Sequence, residues 1–163
     1  MLTIKQLKSL GGRALTDKQI MKGERYIYSG PGMWSNGKIV FCEDVPDLGL
    51  DVKPLKDDTA ARFKSFMEIG TPAYPVEVAG WEDWKRLIRF TTGKTEMWFD
   101  GQLVNALIKR AKTGSISFRA YDSKGVIHLS VHSKKPLGMV APISLKPKTE
   151  PDWNFAYTGD LPA

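Results

Sequence analysis

The sequence predicts an α+β domain made of two helix-plus-antiparallel-meander halves, and three observations lead there. Residues 101–112 place Leu103, Val104, Leu107, Ile108 and Ala111 at three- and four-residue spacing, one apolar face of a helix. The stretches that follow alternate apolar and polar residues with turn chemistry between them, as an antiparallel meander does. The same order of helix, strand, turn, strand and strand can be read over residues 3–55. The domain is expected to span residues 1–145, with halves at about 1–55 and 95–143, an insert at 56–94 and an extended tail over 146–163.

In chain order, residues 3–15 read as a helix with Ile4, Leu7, Leu10 and Ala14 on one face and Lys5, Lys8 and Arg13 around the other. Gly11-Gly12 weakens its second half, by about 1 kcal/mol per glycine. Thr16-Asp17 caps a short second piece through Met21. Arg25 to Trp34 reads as a strand with a bulge at Gly30-Pro31-Gly32. Asn36-Gly37 is the type I′ hairpin dipeptide, Lys38 to Glu43 its partner strand, and Leu50 to Leu55 a third strand. A helix capped by Thr59 follows to Ile69, then a strand over Tyr74–Ala79. Gly80 to Phe90 fits either a helix or a strand.

Asp100 is a good N-cap for the helix at 101–112, because its carboxylate can accept from the free amides of the first turn. Lys109, Arg110 and Lys112 crowd the last turn, where cations suit the negative end of the helix dipole. Ser115–Tyr121, Val126–His132 and Leu137–Ile143 are the expected strands, with Asp122-Ser123-Lys124-Gly125 as the hairpin turn between the first two. In the tail, Trp153, Phe155 and Tyr157 alternate as an added edge strand would.

Composition limits the function. A net charge of +6 and a sequence pI near 9.4 favour an acidic partner, nucleic acid above all. No apolar run is long enough to span a bilayer, and the opening MLTIKQLKSLGG lacks a signal-peptide core, which points to the cytoplasm. The single cysteine, Cys42, sits in an apolar strand pattern and reads as a small buried hydrophobe.

Catalytic constellations are missing from the sequence. Gly93-Lys94-Thr95 resembles the end of a phosphate-binding loop, but Ile88 stands where the first glycine belongs. His128 and His132 share a strand face about 13 Å apart, too far for one metal ion. Asp57-Asp58 and Glu82-Asp83 are adjacent pairs, whose side chains point apart. No serine shows an obvious base partner. The expectation is a non-enzyme with no cofactor and no metal.

The run EMWFDGQLVNALIKRAKTGSISFRAYDSKGVIHLSV, continued by GMVAPI, resembles the last half-domain of a bacterial-type DNA polymerase sliding clamp. There a strand ending in Phe leads to a Leu-rich helix, a charged strand, a hairpin and a closing strand. The closing strand departs from that family, with Ala141-Pro142-Ile143 in place of Met-Pro-Met or Met-Pro-Leu, and the tail runs past the usual end. The resemblance implies a clamp-like domain whose two helices lie side by side beneath the sheets, setting Lys5, Lys8, Arg13, Lys109, Arg110 and Lys112 on one positive surface for duplex DNA. Such a surface contacts phosphates without reading bases. It further implies a homo-oligomer, since six such domains close a ring, and a partner such as a DNA polymerase docking near Leu137, Met139, Val140 and Pro142. The alternative is a viral or mobile-element clamp-like protein that binds host proteins and forms no ring.

Overall fold

In a computed structural model, residues 15–22, 27–47, 49, 51–82, 85–111 and 115–143 are described. The expected helix over 3–15 and the C-terminal tail lie outside these residues, apart from Leu15. The class is α+β. A ten-stranded sheet runs in the order β4-β1-β2-β3-β10-β9-β8-β5-β6-β7. Its strands are β1 (Ile27–Gly30), β2 (Met33–Ser35), β3 (Ile39–Phe41), β4 (Val52–Pro54), β5 (Thr71–Glu82), β6 (Lys85–Thr91), β7 (Glu96–Asp100), β8 (Ser117–Ser123), β9 (Val126–Ser133) and β10 (Lys135–Val140). Three helices accompany it among the described residues: α1 (Asp17–Lys22), α2 (Asp57–Ile69) and α3 (Gly101–Ile108).

The sheet is curled around α3. This helix packs on β6 and β7 at one end of the sheet order and on β9 and β10 further in. Strands lie about 4.8 Å apart, so β10 and β7 would be some 24 Å apart in a flat sheet, twice the width of a helix. Curvature brings both onto the helix. Beyond β10, Ala141 N–H donates to Lys38 O and Ile143 N–H to Trp98 O, so the chain steps from beside β3 to the edge of β7. All eight residues of α3 are buried, including Gln102 and Asn105. A helix of this length is marginal alone, so its stability comes from the enclosing sheet. Asp100 caps it as expected, accepting from Gln102 N–H at 2.9 Å. It ends at Ile108, earlier than the expected 112.

The two faces of the sheet carry two cores. Ile127, Leu129 and Val131 of β9 join α3, Phe90 and Phe99 in the larger one. On the opposite face Met33, Val40, Met67 and Met139 form a smaller core under α2. Phe66 of α2 stacks on Tyr121 at 4.3 Å and lies tilted against His128.

The meander is where the sequence placed it, with β8 and β9 joined at Lys124-Gly125. Both turn residues have positive φ, 54° and 88°, the backbone that a type I′ turn requires. Four other expectations need correction. Gly30-Pro31-Gly32 is a hairpin turn between β1 and β2, not a bulge, since Gly30 pairs with Met33. Asn36-Gly37 is not type I′, because only Gly37 has positive φ, at 95°. Asn36 instead bends the chain through its side chain, whose Oδ1 accepts from Lys38 and Ile39 N–H. β4 runs parallel to β1, because the link from Phe41 to Val52 is long enough to cross over. Residues 56–94, expected as an insert, supply α2 and the strands β5 and β6 that join β8 to β7.

Gly37 supports a direct prediction. A Cβ there would meet nothing within 4 Å, so substitution tests backbone strain alone. Gly37→Val is expected to cost about 1 kcal/mol or more, read as a lowered urea midpoint. An unchanged midpoint would mean that the loop does not hold Gly37 at positive φ.

Candidate nucleic-acid interface

Of the six cations expected to meet DNA, Lys5, Lys8, Arg13 and Lys112 lie outside the described residues. Lys109 and Arg110 lie just past α3, and the structure separates their roles. Lys109 is exposed. Arg110 is held from every side: its Nε donates to Glu43 Oε1 at 2.8 Å and its NH2 to Glu43 Oε2 at 3.1 Å. The same NH2 donates to Asp17 Oδ1 at 2.7 Å, and NH1 donates to Ala106 O at 2.9 Å. Its guanidinium carbon sits 4.0 Å from the centre of the Phe41 ring, a cation–π contact. Phe41 stacks on Trp34 at 4.3 Å, and Trp34 Nε1 donates to Glu43 Oε2.

These contacts join three parts of the chain: α1 through Asp17, the end of β3 through Glu43, and the C-terminal end of α3. Since α3 has no exposed face, its own share of the positive surface implied by the resemblance reduces to that end. There Arg110 is committed to carboxylates, and exposed Lys109 and Lys18 are the chain neighbours of the paired Arg110 and Asp17.

Electrostatics keep the cluster charged. Burial alone would raise the Glu43 carboxyl, but hydrogen bonds from Arg110 and Trp34 and the charge of Arg110 outweigh it and hold it below its ordinary value of 4.5. Burial likewise favours loss of the Arg110 proton, and the bonds to Glu43 and Asp17 outweigh that too. A carboxylate lowered in the fold contributes stability that is present above its unfolded value and lost as pH falls through its folded value. His128 and His132 are also lowered, chiefly by burial and for His132 also by the charge of Arg119. The fold therefore favours neutral histidines, and their contribution too is lost on acidification. Stability is expected to decline in two stages, first as pH drops below about 6.5 and again below about 4.5. Thermal midpoints from pH 7.5 to 3.5 check this, and Glu43→Gln should flatten the lower stage alone.

The residues expected to bind a partner do not share a surface. Met139 is buried beneath α2 and Val140 is buried in the larger core, while Leu137 and Pro142 are half-buried. Strand alternation sends Met139 and Val140 to opposite faces of β10. A pocket at the closing strand would thus have only Leu137 and Pro142 to offer.

One pairing was not legible in the sequence. Ser130 Oγ lies 2.8 Å from His132 Nε2, the reach of a nucleophile and its base. The spacing of two on one strand was the available signal. Ser130 is only 3 % exposed and donates its one proton to Arg119 O, so toward His132 its Oγ can only accept. Cys42 lies 3.6 Å from Met67 Sδ, and burial pushes its thiol up to about 11, far from reactive. Among the described residues, no group of three or more His, Cys, Asp or Glu is placed to hold a metal ion. No helix among them is long and apolar enough to cross a membrane.

No protein-family model matches this sequence, and no curated protein or solved structure matches it either.

Proposed function

We propose that this protein is a non-catalytic, sliding-clamp-like tether that holds duplex DNA through its phosphates. The observation that carries the reading is the Asp17–Arg110 contact, which sets α1 against the C-terminal end of α3. The basic stretch that opens the chain, with Lys5, Lys8 and Arg13, leads directly into α1. The contact therefore sets the exposed Lys18 of α1 at the same end of α3 as the exposed Lys109. The succession β7, α3, β8, β9 and β10 also has the strand-helix-meander order on which the resemblance rests. An excess of positive charge without base-reading geometry suits non-specific, salt-sensitive binding.

In this reading the chain assembles as a homo-oligomeric ring, and a polymerase or another clamp-binding protein docks on it. Light scattering with circular and with linearised duplex DNA is the test. A multimeric mass that gains DNA, and is lost more readily from linear than from circular duplex, is expected of a ring. A monomer that never gains DNA would contradict the tether and favour a protein-binding role without a ring.

A further inference from the structure

We infer that α1 is a releasable latch and that Asp17, which does not touch DNA, is the positioning residue that sets duplex affinity; this rests on the tether reading. The contacts of Arg110 are divided unequally. Glu43 takes Nε and NH2 together, the two-point geometry that suits a guanidinium. Ala106 O takes NH1, and the Phe41 ring covers one face. That set is complete without Asp17.

Asp17 thus adds a second carboxylate to a cation already paired. The three groups together carry one net negative charge, and without Asp17 a neutral pair would remain. No buried charge would be stranded by its loss, so Asp17 contributes to the docking of α1 and little to the sheet. The opposite holds for Glu43, which Trp34 also binds.

The remaining ties of α1 to the body are few among the described residues. Ile20 enters the larger core, and Asn36 Nδ2 donates to Ile20 O at 3.2 Å. Thr16 and Gln19 bond one another reciprocally as a capping box, which shapes the helix without attaching it. A six-residue helix has no stability of its own, so α1 belongs to the easily opened part of the molecule. Its exposed Lys18 shares the C-terminal end of α3 with Lys109 only while the latch is closed.

Duplex DNA that bridges these cations favours the closed latch. Linkage then requires the closed latch to favour DNA by the same factor. Phosphate contacts made by two chain segments are lost together when one of them lifts.

Asp17→Asn in the full chain is the test, read by amide exchange and by duplex binding. The expected result is exchange of the α1 amides about tenfold faster, unchanged exchange in β9, and duplex affinity lower by about fivefold, the small end of measured couplings. Asp17→Glu keeps the carboxylate and should hold both near the parent, which loss of helix structure alone would not predict. Saturating DNA should slow α1 exchange in the parent more than in Asp17→Asn. If Asp17→Asn loosens α1 yet binds duplex like the parent, the inference falls and the tether stands. If α1 exchange is unchanged by Asp17→Asn, the latch itself is refuted. A parent that binds no duplex removes the tether reading and this inference with it.

Discussion

Gly138→Ala is expected to cost about 3 kcal/mol or more, enough to unfold much of a marginally stable domain. Gly138 lies on β10 opposite Phe41, beside a register shift that follows Pro136. A Cβ there would stand 2.1 Å from Val40 O and 2.5 Å from Leu107 Cδ2. The first obstacle is backbone of the paired strand, and the second is a side chain of α3 enclosed on all sides. Neither has room to give way in a close-packed interior, and inserting atoms into such sites usually costs 1–3 kcal/mol even where side chains alone must shift. Gly93→Ala is the control. It has positive φ but nothing within 4 Å, so about 1 kcal/mol is expected. Urea denaturation of both variants checks the difference. A Gly138→Ala variant within 0.5 kcal/mol of the parent would mean that α3 does not press against β10 as described.

Arg110→Ala is the second large effect, with an expected loss of about 2–3 kcal/mol. Removing one partner of a fully buried pair costs roughly 3–5 kcal/mol, because the other charge is left unpaired. Arg110 is 23 % exposed and Glu43 37 %, so solvent screening reduces that figure. Asp17 and Glu43 would then face one another as two carboxylates, and Phe41 would lose its cationic cover. Glu43→Gln in the same chain should restore part of the loss, a coupling of about 1 kcal/mol or more in a double-mutant cycle. Arg110→Lys should fail to rescue, since an ammonium cannot make the two-point contact or lie flat on the ring. Additive effects in the cycle would mean that the ion pair is not formed.

The sequence carried the parts of this fold that depend on local pattern. The period of two in Val126–Ser133, the period of 3.6 after Asp100 and the Asp122–Gly125 turn each determine their own backbone. What it did not carry was pairing at a distance. Asn36-Gly37 has the composition of a type I′ turn, yet the buried Asn36 side chain is drawn to Ile20 O and to the backbone of its own loop. Gly80 to Phe90 fitted a helix as well as a strand, and where it forms β6 hydrogen bonds to β5 and β7 decide for the strand. The curl of the sheet depends on strands far apart in the chain, so the complete burial of α3 could not be read from its sequence.

The candidate site divides in the same way. Basic residues at the end of α3 were visible as composition, and Lys109 is exposed as a contact residue must be. Arg110 carries the same charge in the same turn and is consumed by Glu43 and Asp17, which lie 67 and 93 residues away in the chain. Spacing along one helix cannot distinguish those two neighbours. Likewise, the resemblance implied Met139 and Val140 as part of a docking pocket near the closing strand, and both are buried because β10 is covered on each face.

Duplex binding as a function of salt tests the tether most directly. The parent is compared with a variant carrying Lys5→Ala, Lys8→Ala and Lys109→Ala, which leaves the Arg110 cluster intact. Each phosphate contact contributes a log–log slope of about −0.9, through release of condensed counterions. The parent should bind unrelated duplexes about equally and with a steep slope. The variant should bind all of them more weakly, with a slope flatter by up to about 2.7 for three lost contacts. A parent without salt-sensitive binding, or a variant with the parent's affinity and slope, would contradict the account.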